Sequence, residues 1–155
     1  MDMESKMDKS VLESCTNFLK KYPGTIAWRV KKHASVVQNY MDEDEIILYS
    51  FCGQKNQAFY EIFFTTVVVI TNKRMLLGRK RFFGQHYFSS ITPDMLNDFQ
   101  MRSNLFWGSV EIDTIKEHFI ISNISKKALT EIEKAISKYI VNEKLKEEID
   151  TQKCL

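Results

Sequence analysis

Glycine and proline are scarce in this chain: five and two residues, against eleven phenylalanines and six tyrosines, a balance that argues for order nearly throughout. The glycines (Gly24, Gly53, Gly78, Gly84 and Gly108) stand alone, so no glycine-rich loop exists to cradle a phosphate. Cysteine is no richer. Cys15, Cys52 and Cys154 are odd in number, far apart and never in a C-x-x-C pair, which points to a reduced, cytoplasmic setting. Cys154 lies too near the end for a C-a-a-X prenylation box. The longest apolar run, from Ile62 to Ile70, is interrupted by Thr65-Thr66 and falls well short of the ~20 residues a spanning helix needs. The opening MDMESKMDKS lacks the apolar core of a signal peptide. The expected location is therefore cytoplasmic, with peripheral attachment to the inner face of a membrane as the one membrane relation left.

Catalytic signals are also missing. His33, His86 and His118 are scattered, without zinc-ligand spacing, and there is no G-x-S-x-G. Cys52, on an expected strand, reads as a small buried hydrophobe, and nothing in the sequence pairs the carboxylates. These absences predict no enzyme, no metal, no cofactor and no small-molecule substrate. A formal charge of +2 is too mild for a dedicated nucleic-acid binder.

What is present is organised around Thr65–Phe88. Val67-Val68-Val69-Ile70 is wholly β-branched and suits a buried strand. Asn72-Lys73 reads as a tight hairpin turn, with Asn in a left-handed conformation. A second strand, Arg74–Leu77, ends or bulges at Gly78, and the basic triplet Arg79-Lys80-Arg81 reads as a loop. His86-Tyr87-Phe88 starts a third strand.

Upstream, Val11, Leu12, Cys15, Phe18, Leu19 and Tyr22 recur at helical spacing, predicting a helix over 8–22 capped by Ser10 or Asp8 and stopped by Pro23-Gly24. A second helix is expected from Thr25 to about Tyr40, with Trp28 off its apolar stripe. Asp42-Glu43-Asp44-Glu45 reads as a solvated junction rather than a metal site. Strands then follow at Ile46–Cys52 and Phe59–Phe64, with a polar loop over 54–57 between them. Further strands are expected over Met95–Arg102, Ser109–Ile115 and His118–Ser122. Ser103–Gly108 is a loop carrying Phe106 and Trp107. A final helix, about Lys126–Ile149 with Ser125 as N-cap, has Leu129, Ile132, Ala135, Ile136, Tyr139 and Ile140 as its apolar stripe and a frayed end. The order of two helices, about seven antiparallel strands and one helix predicts an α+β sandwich or open barrel, closed by the last helix.

Three stretches carry a family resemblance. Thr71-Asn72-Lys73-Arg74 followed by Met75-Leu76-Leu77 is similar to the T-[ND]-K-R-L signature of bacterial pleckstrin-homology (PH) domains. Ser89-Ser90-Ile91 and Phe106-Trp107-Gly108-Ser109-Val110-Glu111-Ile112 resemble later segments of the same family. The resemblance implies a seven-stranded PH-like sandwich capped by a C-terminal helix over 44–142; the helical pair read above falls outside it over 1–43, and the helix extension with its frayed tail over 143–155. It also implies a non-catalytic binding module.

The candidate site is Lys73, Arg74, Arg79, Lys80 and Arg81 beside Phe82 and Phe83, since no acid occurs between Thr71 and Gln85. Cations attract anionic headgroups while neighbouring aromatics enter the interface, although the same residues could merely blunt a hairpin edge. Phe82 and Phe83, if on a strand, would point to opposite faces. The alternative is a protein interface, a homo-oligomer included, through Trp28, Phe106 and Trp107. Nucleic-acid binding through the same cations is the weakest of these readings.

Overall fold

A computed structural model of the protein describes residues 10–55 and 65–155. Helix α1 spans Val11–Lys21, and Ser10 Oγ accepts the Glu13 amide at 3.1 Å as its N-cap. Helix α2 spans Val30–Tyr40 and starts five residues later than its sequence suggests. The cause is competition for backbone donors. The Ile26 amide donates to Asn123 O at 2.9 Å and the Trp28 amide to Thr65 Oγ1 at 2.7 Å, so this segment follows the sheet instead of coiling. Arg29, left-handed at φ 53°, then turns the chain into the helix.

Seven strands follow: β1 Ile47–Lys55, β2 Thr65–Thr71, β3 Met75–Lys80, β4 His86–Ile91, β5 Leu96–Ser103, β6 Gly108–Thr114 and β7 His118–Ile124. Every pairing is antiparallel and the spatial order is β4-β3-β2-β1-β7-β6-β5. β1 reaches beyond the expected stop at Gly53, because Gln54 and Lys55 pair with Ser122 and Ile121 of β7. That junction joins β1–β4 to β5–β7. The strand expected over Phe59–Phe64, the second half of the polar loop before it and the cap candidate Asp8 lie outside the described residues.

Every residue of β2 is buried, and so are the first five of β3. A strand's side chains alternate between faces, so burial of both faces requires a cover on each. One cover is the N-terminal helical pair. Val11, Cys15, Phe18, Ala34 and Val37 belong to the same apolar cluster as Phe51, Val67–Ile70 and Met75–Leu77. Phe18 packs its ring against Tyr49 and Phe51. Gly78 neither breaks nor bulges β3. A Cβ there would lie 2.5 Å from Val37 Cγ2, so glycine lets α2 cross the strand at close range.

Two hairpins share one turn design. In β2–β3, Thr71 Oγ1 accepts the Lys73 and Arg74 amides at 3.2 and 3.1 Å. In β6–β7, Thr114 Oγ1 accepts the Lys116 and Glu117 amides at 3.3 and 3.0 Å. A threonine hydroxyl thus substitutes for a left-handed residue. Asn72, expected to be left-handed, is not among the positive-φ residues. Its Oδ1 accepts the Ile46 amide at 2.9 Å instead.

Residues Lys126–Ala128 form a 3-10 turn leading into helix α3, Leu129–Lys153. Ser125 makes no side-chain cap; its amide donates to Thr25 Oγ1 at 3.0 Å, tying the helix entry to the α1–α2 connection. Ile132, Ile136 and Tyr139 are buried, and the Tyr139 hydroxyl donates to Ile91 O at 3.3 Å. The helix stays regular to Lys153 where fraying was expected, although Val141, Leu145 and Ile149 are exposed.

Candidate functional site

The basic residues expected to act together fall into two groups at opposite ends of β3. The first group, Lys73 and Arg74, sits at the β2–β3 turn against the acidic run. Lys73 Nζ meets Asp44 at 2.8 Å and Asp42 at 3.6 Å. Arg74 reaches Glu45 Oε1 from Nε at 3.0 Å and from Nη2 at 2.6 Å. It also donates to Tyr40 O at 2.9 Å and Ser90 Oγ at 3.2 Å.

Glu45 is buried, and Thr71 Oγ1 donates to its other oxygen at 2.7 Å. Burial alone would raise its carboxyl pKa, but the hydrogen bonds from Arg74 and Thr71 outweigh it and hold the carboxyl below its usual range. The acidic run is therefore not a purely solvated junction. It neutralises the hairpin cations, so Lys73 and Arg74 leave the candidate anionic site. Their carboxylate partners lie 29 residues upstream, beyond the reach of local sequence proximity.

Arg79 leaves the exposed tip as well. It belongs to β3, not to a loop, and is only 5% exposed, with its guanidinium 4.5 Å from the Tyr87 ring centroid. Lys80 closes the strand and Arg81 follows it, also over the Tyr87 ring at 5.4 Å. Beyond Arg81 the chain makes a 3-10 turn over Phe82–Gly84, with Phe83 left-handed at φ 59°. The expected strand alternation therefore does not operate, and neither phenylalanine enters the core. Phe82 is 66% and Phe83 102% exposed.

The structure adds partners to this tip that sequence reading did not bring to it. A cavity of about 290 Å³ is lined by Trp28, Arg29, Lys32, His33, Lys80, Arg81 and Phe82. It joins the start of α2 to the end of β3. None of its lining residues, among those described, is acidic, and Arg29, Lys32, Lys80 and Arg81 make no ion pair among the described residues.

His33 ties the halves together: its Nδ1 accepts the Lys80 amide at 2.8 Å. Burial, then the charges of Lys32, Arg79 and Arg29, lower its pKa to about 4. At neutral pH the ring is uncharged, and with Nδ1 accepting, its proton sits on Nε2. The signal that could have found Arg29, Lys32 and His33 was their cationic spacing beside Trp28. Its meaning depended on α2 lying across β3.

The aromatic loop at the β5–β6 turn divides in the same manner. Leu105 and Phe106 are 80% and 68% exposed. Trp107 is half-buried, and its indole Nε1 donates to Gly24 O at 3.2 Å, bracing the loop on the α1–α2 connection. Trp28 is half-exposed and lines the cavity.

Among the described residues no group of three or more His, Cys, Asp and Glu could hold a metal ion, and no helix is long and apolar enough to cross a membrane.

Comparison with known proteins follows the same lines. No curated protein matches this sequence. Among solved structures, a pleckstrin homology domain from Shewanella amazonensis SB2B is similar at 17% identity and a TM-score of 0.48, covering 70% of this chain and 95% of its own. A DUF1696-family protein with a pleckstrin-homology domain, from Shewanella loihica PV-4, is similar at 14% identity and a TM-score of 0.47, covering 69% and 89%. The family model described as Bacterial PH domain matches residues 41–138, well over half of the chain and the whole span from the acidic run to the middle of α3. The chain belongs to the bacterial PH domain family.

Proposed function

We propose that this protein is a non-catalytic binding module that docks on an anionic membrane surface through the β3–β4 end of its sheet. The supporting observation is a cluster of four cations, Arg29, Lys32, Lys80 and Arg81, without carboxylate partners among the described residues, beside the exposed Phe82 and Phe83. Cations near an anionic surface contribute about 1 kcal/mol each, and aromatic side chains that enter the headgroup region add apolar burial. The N-terminal helical pair belongs to this module in function, because it supplies Arg29 and Lys32. Co-flotation with vesicles containing phosphatidylglycerol is the direct test. Binding at low salt that falls steeply as salt rises supports the reading. Absence of binding at low salt ends it.

A second reading, a protein interface that includes self-association, rests on Leu105 and Phe106. Two large apolar side chains exposed on one loop are a protein-contact signature. Light scattering of wild type against Phe106→Ser distinguishes this reading, since apolar association persists at high salt.

A further inference from the structure

Among the described residues only two buried side-chain nitrogen or oxygen atoms lack a hydrogen-bond partner, Tyr49 Oη and Ser50 Oγ, and both residues line the same cavity. An unpaired buried hydroxyl is costly, and native structures normally supply it with water, an ion or a ligand. The cavity, of about 170 Å³, lies between α1, the start of β1 and the first turn of α3. It shares no lining residue with the basic cavity at the β3–β4 end. We infer that it is a binding site for a primary ammonium group on a short carbon chain.

The lining decides the sign of the ligand. Glu131 stands at its wall. Burial alone would raise the Glu131 carboxyl pKa, but the hydrogen bonds from Lys21 and Tyr22 outweigh it and hold the carboxyl below its usual range. The wall therefore carries a carboxylate, which disfavours an anion. Burial and then the Glu131 charge raise the Tyr49 pKa, so its hydroxyl sits protonated in the carboxylate's field.

Donors and acceptors decide its type. Lys21 Nζ approaches Glu131 Oε2 at 2.8 Å, and the Tyr22 hydroxyl donates to that same oxygen. Oε1 accepts no hydrogen bond from the described residues. Tyr49 Oη, Ser50 Oγ and Glu131 Oε1 are thus unpartnered acceptors on residues that line one space. A primary ammonium brings three N–H donors and no acceptor, which matches that set.

Aromatic rings complete the surroundings. The Phe18 ring lies 5.2 Å from that of Tyr22 and 6.3 Å from that of Tyr49, and all three residues line the cavity. Ring faces attract a cation and also pack against a carbon chain. Lys21 already uses this environment: its Nζ stands 5.6 Å from the Tyr22 centroid while pairing with Glu131. Its side chain is exposed, and exposed pairs are weak, so a ligand ammonium can displace it into solvent. Lys21 is then a built-in competitor. The volume corresponds to about five or six waters, room for a short alkylammonium. Phe18, Lys21 and Tyr22 precede residue 41, where the family match begins, so this wall comes from the chain's own first helix and its C-cap.

Calorimetry on the full chain would titrate n-butylammonium chloride, with tetramethylammonium chloride as a cation that cannot donate hydrogen bonds. Saturable butylammonium binding, about tenfold or more tighter than that of tetramethylammonium, supports the site. No saturable butylammonium binding in the millimolar range overturns it and leaves ordered water as the partner of the two hydroxyls. Equal affinity for the two cations overturns the primary-ammonium assignment.

The two members of the ion pair should act in opposite directions. Glu131→Gln should weaken butylammonium binding about tenfold or more, since it removes the charged acceptor. Lys21→Ala should strengthen it by up to about fivefold, since it removes the competitor. Weakened binding in Lys21→Ala, or unchanged binding in Glu131→Gln, overturns the proposal. Tyr49→Phe should weaken binding without lowering the unfolding midpoint, because the lost hydroxyl has no partner among the described residues. Glu143→Gln, a charge-matched control whose partner Lys146 lies on the same helix, should bind as wild type does.

Discussion

The two ends of β3 carry cations of the same kind in opposite circumstances. At the β2–β3 turn, Lys73 and Arg74 face Asp42, Asp44 and Glu45, and the group is locally neutralised. At the β3–β4 end, Arg29, Lys32, Lys80 and Arg81 surround a cavity whose described lining holds no acid. The first arrangement fastens the entry of β1 to the hairpin, and its charge is consumed internally. The second makes no ion pair among the described residues. A positive residue is evidence for a ligand only when the fold leaves it unsatisfied.

Removing one partner of the internal group should give the largest effect. Arg74→Met leaves the Glu45 carboxylate buried without its guanidinium, at a cost of about 3–5 kcal/mol. Urea unfolding at neutral pH measures that loss, and vesicle affinity of the remaining folded protein should be unchanged. A variant of normal stability with lost vesicle binding would invert the comparison.

At the other end, Lys32→Gln/Lys80→Gln/Arg81→Gln should weaken binding to phosphatidylglycerol vesicles by about 3 kcal/mol at moderate salt, roughly a hundredfold or more. Its unfolding midpoint should stay near wild type, since it breaks no ion pair among the described residues. A large drop in stability with unchanged binding would show these cations to be structural.

Acid separates the two ends by pH. His33 has a folded pKa of about 4 against 6.5 unfolded, so the unfolded state takes up its proton first. Its stabilising contribution, up to about 3 kcal/mol, is complete above pH 6.5 and is lost as pH falls towards 4. Glu45, held below its ordinary 4.5, loses its contribution only as pH falls below that value, through its lower folded pKa. Stability curves of His33→Gln should therefore flatten between pH 4 and 6.5, and those of Glu45→Gln below 4.5. A wild-type curve flat from pH 6.5 to 4 would show that His33 is not held neutral.

The smallest effect belongs to Lys73→Gln. Its partners Asp42 and Asp44 are exposed, and pairs of this sort are worth little. Both the unfolding midpoint and vesicle affinity should remain within experimental scatter. A marked loss of vesicle binding would return Lys73 to the site.

Local patterning already determined much of this protein. Val67–Ile70 is β-branched because β2 is buried on both faces, and the alternation of Val110, Ile112 and Thr114 places one face of β6 inward. The stripe Ile132, Ile136 and Tyr139 seats α3, and the Thr71–Arg74 turn joins β2 to β3. These features depend on neighbours one to four residues away, so periodicity reveals them. The sequence also singled out Lys80, Arg81, Phe82 and Phe83, the half of the candidate site that is continuous in the chain.

Tertiary structure decided the remainder. The start of α2 was displaced because Ile26 and Trp28 spend their amides on Asn123 and Thr65, residues that no local window contains. Arg79 is buried by Tyr87 across a strand pair, and Arg74 is satisfied by Glu45 from 29 residues away. Arg29 and Lys32 reach Lys80 and Arg81 only because Gly78 admits α2 against β3. Charge acts through space, without the short period that marks a helix or a strand. Which cations are neutralised and which stay available is therefore decided only when the chain has folded.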